Sequence, residues 1–182
     1  MRLSDEQYAE IKKVVADTFV EYGVKSIPIS AFEIAIKMGI GVVPYSALSQ
    51  KKQEAAMSVS LDGFSTEDNG YNWTIFYNDS CSNYGRINQT IMHEIGHYAL
   101  GHTEDGEVEE AEAKFFAKYA LAPPALIHNL GQNVTIELIM EKFDISYQAA
   151  EYAYGYYLNW LKFGERDYTS YEIRMLDQVL IA

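Results

Sequence analysis

The spacing of apolar residues predicts two helices and a strand in the first part of the chain. An amphipathic helix is expected from Ser4 to Tyr22, where Ser4 and Gln7 have the spacing of a capping box. A short helix is expected over Ala31 to Met38, because a glycine follows it. The next run, Ile40 to Val43, is short, apolar and β-branched, which favours a strand.

Two further strands are expected, with a loop rich in Gly, Asp and Asn between them. Ala55 to Leu61 alternates Ala, Ser and Val, and Trp73 to Tyr77 is rich in aromatic and β-branched residues. Together with the strand at Ile40 to Val43, they would form a small sheet in front of the next helix. The expected fold class is α+β.

The run from Arg86 to Leu100 contains no proline and divides into two helical faces. One face is apolar: Ile87, Ile91, Ile95 and Tyr98. The other is polar: Arg86, Thr90, His93 and His97. Gly101 follows and suits a helix C-terminus. The pattern predicts a buried helix whose histidine face lines a polar cleft.

Within this helix, His93-Glu94-Ile95-Gly96-His97 places two imidazoles four residues apart. Residues at that spacing have Cβ atoms roughly 5 to 6 Å apart, so both rings can bind one cation. Glu94 lies about 100° further round the helix and is placed to take a proton from water, whose pKa a bound metal lowers to roughly 7. The motif predicts a Zn²⁺ site with Glu94 as general base. Two incidental surface histidines are the alternative interpretation.

A catalytic zinc needs a third protein ligand, and four carboxylates follow the motif in a helical run that ends at a Pro-Pro pair. They are Glu107, Glu109, Glu110 and Glu112. On the helical wheel Glu109 and Glu110 border the apolar arc, whereas Glu112 points away from it. The pattern leaves Glu109 and Glu110 open. For the others, an acidic first turn favoured by the helix dipole is a sufficient explanation.

These residues together resemble the ImmA/IrrE family of zinc metallopeptidases. The resemblance rests on Arg86-x3-Thr90-x2-His93-Glu94-x2-His97, followed by Glu110-x2-Ala113-x2-Phe116-Ala117 and a proline soon after. It implies a zincin-like fold and Glu110 as the third ligand, with Glu109 as the fallback. Where related sites often have Asn or Asp to hold a zinc-bound imidazole, this chain has Lys114, which cannot accept a proton. The partner of the imidazole is therefore expected from elsewhere.

The resemblance also implies a zinc-dependent endopeptidase whose substrate is a helix-turn-helix repressor. In zincin-like proteases an edge strand pairs with the extended substrate, so the strand ending at Leu61 is a candidate substrate-binding edge. An ordinary core or edge strand fits the same pattern. An oxyanion-stabilising residue should exist, and Tyr77, Tyr98 and His128 are conceivable. His102 lies off the ligand face and is expected to be a solvated loop histidine.

After the Pro-Pro pair, Thr135 to Phe143 and Ser146 to Leu161 predict two helices joined by a tight turn, a helix-turn-helix outline. Tyr171 to Ala182 is a further short helical run. We expect a metallopeptidase domain over residues 1–125 and a helical segment packed on it over residues 126–182. The second helix is rich in tyrosine and has no Lys or Arg before Lys162, so direct binding of nucleic acid is not expected.

Composition agrees with this interpretation. Fourteen Lys and Arg against 26 Asp and Glu give a net charge of −12, which disfavours nucleic acid and anionic membranes as partners. The 182 residues, 48% of them hydrophobic, suffice for one catalytic core and a helical appendage. Neither an apolar signal core nor a long apolar run is present, which favours a cytoplasmic protein.

Two other classes of function remain open. A metal-stabilised binding protein could act as an anti-repressor by sequestering its partner without proteolysis. A helix-turn-helix transcription factor could carry the same metal site for structural purposes, although the missing basic stripe argues against it.

Overall fold

The computed structural model describes residues 2–68, 72–81, 83–104, 106–164 and 167–180. Over these residues the fold is α+β, mostly helical, with one three-stranded sheet. The elements are α1 (Asp5–Glu21), α2 (Ala31–Met38), β1 (Gly41–Pro44), α3 (Gln50–Val59), β2 (Gly63–Asp68), β3 (Asn72–Tyr77), α4 (Tyr84–Ala99), α5 (Glu107–Leu121), α6 (Pro124–His128), α7 (Ile136–Phe143), α8 (Tyr147–Phe163) and α9 (Ser170–Gln178).

The ends of the first two helices follow the local signals in the sequence. The capping box is confirmed, because Ser4 Oγ accepts from the Gln7 N–H at 3.2 Å and Gln7 Oε1 accepts from the Ser4 N–H at 2.9 Å. Helix α2 ends at Gly39, whose φ of 76° is in the left-handed region that glycine adopts without steric cost. Both predicted helices are thus confirmed.

The sheet has the strand order β1-β3-β2. Strand β1 pairs in parallel with β3, where Val42 lies opposite Ile75, and β2 pairs antiparallel with β3, where Ser65 lies opposite Ile75. Ile75 is fully buried. Strand β3 is therefore the central strand of the sheet, and β1 and β2 are its two edge strands.

The strand predicted from Ala55 to Leu61 is wrong. Most of this segment belongs to α3, and the strand beside β3 begins later, at Gly63, in the stretch expected to be a loop. The run Gln-Lys-Lys-Gln-Glu-Ala-Ala-Met is made of strong helix formers, and these outweigh the short Ala/Ser/Val alternation. Residues 69–71 of the expected loop lie outside the described residues.

Helix α4 is the centre of the core, and it packs closely on α5. Ile91, Met92 and Ile95 are fully buried. On the side facing α5, a Cβ added to Gly96 would lie 3.1 Å from Phe116 Cδ1 and 3.2 Å from Ala113 Cα. A Cβ here would need its neighbours to move by a few tenths of an ångström, so glycine suits this close approach, which brings the polar face of α4 next to the first turns of α5.

The other side of α4 is fixed by a buried amide. Asn88 is 2% exposed, and its Nδ2 donates to the Ile29 carbonyl at 2.9 Å while its Oδ1 accepts from the Ala31 N–H at 2.8 Å. Both backbone groups lie at the entry to α2, where no helical partner satisfies them. One side chain thus holds α2 against α4.

The helices after α6 pack on the same core. Helices α7 and α8 are joined by a short turn in which Asp144 has a φ of 50°, and Ser146 caps α8 as expected from its sequence. Ile139, Phe143 and Ala150 belong to the core cluster that includes α4 and α5. The division of the chain at residue 125 stays a prediction.

The last helix ends at Gln178, earlier than the end predicted from the run Tyr171 to Ala182. Helix α9 covers Ser170–Gln178, and residues 181 and 182 lie outside the described part of the chain. Arg174 on α9 pairs with Asp17 on α1 at 2.6 Å. None of the helices described here is both long and apolar enough to cross a membrane.

We expect Asn88→Ala to lower the free energy of unfolding by about 2 to 4 kcal/mol, because it leaves a buried N–H and a buried C=O without their partner. Urea denaturation followed by circular dichroism measures this. Asn159→Ala, at an exposed position of α8, is the control and should change stability by less than about 0.5 kcal/mol. Equal stability of the two variants would contradict the anchoring role.

Candidate metal centre

Three side chains from two helices converge at the polar face of α4. His93 Nε2 and His97 Nε2 are 3.2 Å apart, and Glu110 Oε1 on α5 lies 3.4 Å from His97 Nε2 and 3.7 Å from His93 Nε2. Zinc–ligand bonds of about 2.0 to 2.1 Å in a tetrahedral site place ligand atoms roughly 3.3 Å apart. Two imidazole nitrogens and one carboxylate oxygen thus fit a divalent metal such as zinc in both chemistry and spacing.

The electrostatics of the group favour the protonation states that a metal needs. Burial lowers the pKa of His93, and the neighbouring His97 lowers it further, which favours the neutral imidazole. Burial on its own would raise the pKa of Glu110, but Lys114 and the two imidazoles outweigh it and lower that pKa. Neutral imidazoles and an ionised carboxylate are the ligand forms of these residues.

Lys114 occupies the outer oxygen of Glu110. Its Nζ lies 3.1 Å from Oε2, one helical turn further along α5, while Oε1 faces the imidazoles. This ion pair is exposed to solvent and favours the orientation in which Oε1 faces the imidazoles. The ammonium group of Lys114 has no acceptor for the proton of an imidazole. This is the position where an acceptor was expected from the resemblance.

His102 is not the solvated loop residue that the sequence suggested, and that expectation is wrong. Its side chain is 8% exposed, and its Nδ1 lies 3.0 Å from Nδ1 of His97. On its other side, Nε2 lies 3.0 Å from Oε2 of Glu112. His102 therefore contacts the ring nitrogen of His97 for which Lys114 cannot provide a proton acceptor.

The turn after α4 explains how His102 reaches this place. Gly101 has a φ of 70°, and the N–H of His102 donates to the His97 carbonyl at 3.0 Å, so the chain folds back over the end of the helix. The helical wheel fails here because His102 is beyond the helix. A glycine one residue before a histidine, directly after a histidine-bearing helix, is the signal that could have indicated it.

The carboxylate of Glu94 lies between α4 and the sheet. Glu94 is 7% exposed, and Ser65 Oγ on β2 donates to its Oε2 at 2.7 Å. Sequence spacing gave no indication of Ser65, because it is 29 residues away in a segment expected to be a loop. The candidate base is thus positioned by the strand at the end of the sheet.

These groups line one open cleft of 660 Å³ between β2, α4 and α5. Its wall includes Gly63, Phe64 and Ser65 of β2 and, on the helices, His93, Glu94, His97, Glu110 and Lys114. A pocket of this size accepts a few residues of a peptide chain. The arrangement places a candidate metal group, a carboxylate base and a strand on the same cleft.

The remaining candidate residues lie elsewhere. Glu109 is not part of the three-residue group; its carboxylate lies over Gly106 at the start of α5. Tyr98 packs against Trp73 with ring centroids 5.6 Å apart, and His128 Nδ1 lies 3.0 Å from the hydroxyl of Tyr157. Neither these two residues nor Tyr77 is among the described residues that line the cleft.

Comparison with known proteins gives one family. A model of the peptidase M78 family, described as the IrrE N-terminal-like domain, matches residues 49–154. The match covers more than half of the chain and includes the cleft residues of β2, α4 and α5. No curated protein matches the chain.

Glu110→Gln and Glu109→Gln form a matched pair that tests the third ligand. We expect Glu110→Gln to weaken zinc binding more than about 100-fold, since losing a ligand exceeds the usual effect of losing a ligand's partner, whereas Glu109→Gln should bind like wild type. Competition with a chelator of known affinity measures both. A larger loss in Glu109→Gln would assign the ligand to Glu109 instead.

Proposed function

This chain belongs to the peptidase M78 family of metallopeptidases, and we propose that it is a zinc-dependent endopeptidase of zincin type. Family membership implies peptidase activity. The observation that carries the finer proposal is the convergence of His93, His97 and Glu110 beside the buried carboxylate of Glu94. His-Glu-x-x-His on one helix and a glutamate on the next make up the set of groups that zinc-assisted peptide hydrolysis needs.

His93, His97 and Glu110 would hold the zinc, and Glu94 would carry the proton. When bound, zinc supplies a Lewis acid that polarises a carbonyl and makes water more acidic. Glu94 accepts a proton from the attacking water on its carboxylate and passes it to the leaving amine nitrogen as the C–N bond breaks. Ser65 holds Oε2 of Glu94 towards the cleft during both transfers.

Strand β2 is the surface that we propose for the substrate backbone. It pairs with β3 along one side, and its residues Gly63 to Ser65 line the cleft next to the metal group. An extended peptide added to this strand would place a carbonyl near Glu94, and backbone hydrogen bonds would hold it irrespective of its side chains. The candidate substrate-binding edge is therefore β2 and not the segment ending at Leu61.

For the substrate we propose a helix-turn-helix repressor in the cytoplasm, which would make this protein an anti-repressor protease. The resemblance of the motif residues to the ImmA/IrrE family supports this proposal. The net charge of −12 supports it too, because a DNA-binding protein presents a basic surface that such a chain attracts. Direct contact with DNA is not proposed, since α8 has no Lys or Arg before Lys162.

Glu94→Gln tests the enzymatic proposal. We expect this variant to retain zinc but to lose cleavage by at least about 1000-fold, because the amide cannot accept the proton. Cells producing wild type or Glu94→Gln are compared by mass spectrometry of labelled protein N-termini. New N-termini in a DNA-binding repressor should arise with wild type alone.

The control is Glu151→Gln, an exposed glutamate on α8, which should cleave like wild type. Equal cleavage by Glu94→Gln would exclude its role as the base. If the repressor is inactivated without new N-termini, and equally well by Glu94→Gln, the protein acts by sequestration and the proteolytic proposal is wrong.

Ser65→Ala tests how the base is held. We expect kcat on the substrate identified in that comparison to fall about 10- to 100-fold with little change in KM, because a hydrogen bond to a charged group contributes about 1.5 to 3 kcal/mol. Ser65→Thr retains a hydroxyl and should restore most of the rate. A loss that appears in KM alone would indicate a role of Ser65 in binding substrate.

A further inference from the structure

We propose that His102 and Glu112 are positioning residues that fix the ring of His97 and thereby set the affinity of the site for zinc. This inference rests on the proposed zinc site. It concerns the contacts from His97 to His102 and from His102 to Glu112, which we call the relay. The relay begins at Nδ1 of His97, the ring nitrogen that does not contact His93 or Glu110, and His102 also lines the cleft.

The two nitrogens of His97 point to different partners. Nε2 lies 3.2 Å from Nε2 of His93 and 3.4 Å from Oε1 of Glu110, so this nitrogen belongs to the ligand group. Nδ1 lies 3.0 Å from Nδ1 of His102. A histidine that binds a metal through one nitrogen keeps its proton on the other.

A single arrangement of protons satisfies the whole relay with neutral rings. If Nε2 of His97 is to hold zinc, the proton of His97 is on Nδ1 and is donated to Nδ1 of His102. The proton of His102 is then on Nε2, where it is donated to Oε2 of Glu112 at 3.0 Å. An ionised carboxylate only accepts, so it ends the relay and fixes the tautomer of both rings.

Glu112 is itself held from the N-terminal helix. Gln7 Nε2 on α1 donates to Oε1 of Glu112 at 2.8 Å, and the Gln7 Oε1 is already used by the N–H of Ser4 at 2.9 Å. The orientation of the Gln7 amide is therefore determined by two bonds. Gln7 Nε2 contacts one oxygen of Glu112 and His102 Nε2 the other, and the side chain is 20% exposed, so both contacts restrict the orientation of the carboxylate.

The burial of the relay makes its contacts effective. The side chain of His102 is 8% exposed and that of His97 is 9% exposed, so little water competes for their nitrogens. A partner that accepts the proton of a ligating imidazole orients the ring and increases its basicity. Removing such a partner commonly weakens metal binding by about 10- to 100-fold.

The test measures zinc affinity of the whole chain by competition with a chromophoric chelator at neutral pH. We expect His102→Leu to weaken binding about 10- to 100-fold and Glu112→Gln to weaken it less, since the amide oxygen still accepts but carries no charge. The absorption spectrum of the Co²⁺-loaded protein should change in His102→Leu, because the ring of His97 is no longer held. A purely structural role would leave that spectrum unchanged.

Two matched variants control for the loss of a histidine and of a charge. His128→Leu is at an exposed position of α6, and Glu107→Gln is at an exposed position in the first turn of α5; both should bind zinc like wild type. Thermal unfolding of each metal-free variant separates affinity from folding. Should His102→Leu not fold, Glu112→Gln, which conserves size and shape, carries the test.

The outcomes separate the relay from the proposed function. If the wild-type protein binds no zinc, the proposed zinc peptidase is refuted, and so is the proposed role of His102 and Glu112. Wild type that binds zinc, together with His102→Leu and Glu112→Gln variants of equal affinity and unchanged Co²⁺ spectrum, would refute the relay alone.

Discussion

The close packing of α4 on α5 at Gly96 is the contact on which the rest of the site depends. The imidazoles come from α4 and the carboxylate from α5, so the separation of the two helices sets the distance between ligand atoms. A single Cβ at Gly96 would press on Ala113 and Phe116. Close-packed interiors transmit such a displacement, and a few tenths of an ångström are comparable to the tolerance of zinc–ligand distances. The core thus determines the chemistry available at its surface.

Buried polar side chains complete what helix packing begins. Asn88 holds α2 against α4, Ser65 holds the candidate base, and His102 lies against the back of a candidate ligand. Each of these residues joins segments that are far apart in the chain or beyond a helix end. A buried polar group without a partner is costly, so these contacts favour one arrangement of the cleft over its alternatives.

Local signals in the sequence predicted helices α1, α2 and α4 and the two histidines that converge on α4, whereas the choice of Glu110 over Glu109 needed the resemblance. The cap at Ser4, the glycine after α2 and the His-Glu-x-x-His spacing each act within a few residues, where geometry is fixed by the helix itself. The segment from Ala55 to Leu61 was misjudged because a short alternation was preferred over helix propensity. Ser65 and His102 were missed for another reason. Strand pairing places Ser65, and the chain reversal at Gly101 places His102. A helical wheel describes neither strand pairing nor a chain reversal.

The side-chain amide of Gln7 makes two contacts: its oxygen accepts from the Ser4 N–H in the cap of α1, and its nitrogen donates to Glu112. If the proposed relay is correct, this shared amide couples two equilibria: the fraying of the first turn of α1 and the binding of the metal ion. Linkage is reciprocal: an ion that prefers a well-held His97 also protects that turn against fraying, and fraying loosens the ion by the same factor. Amide hydrogen exchange near residue 7 would then report on loading of a centre more than eighty residues further along the chain.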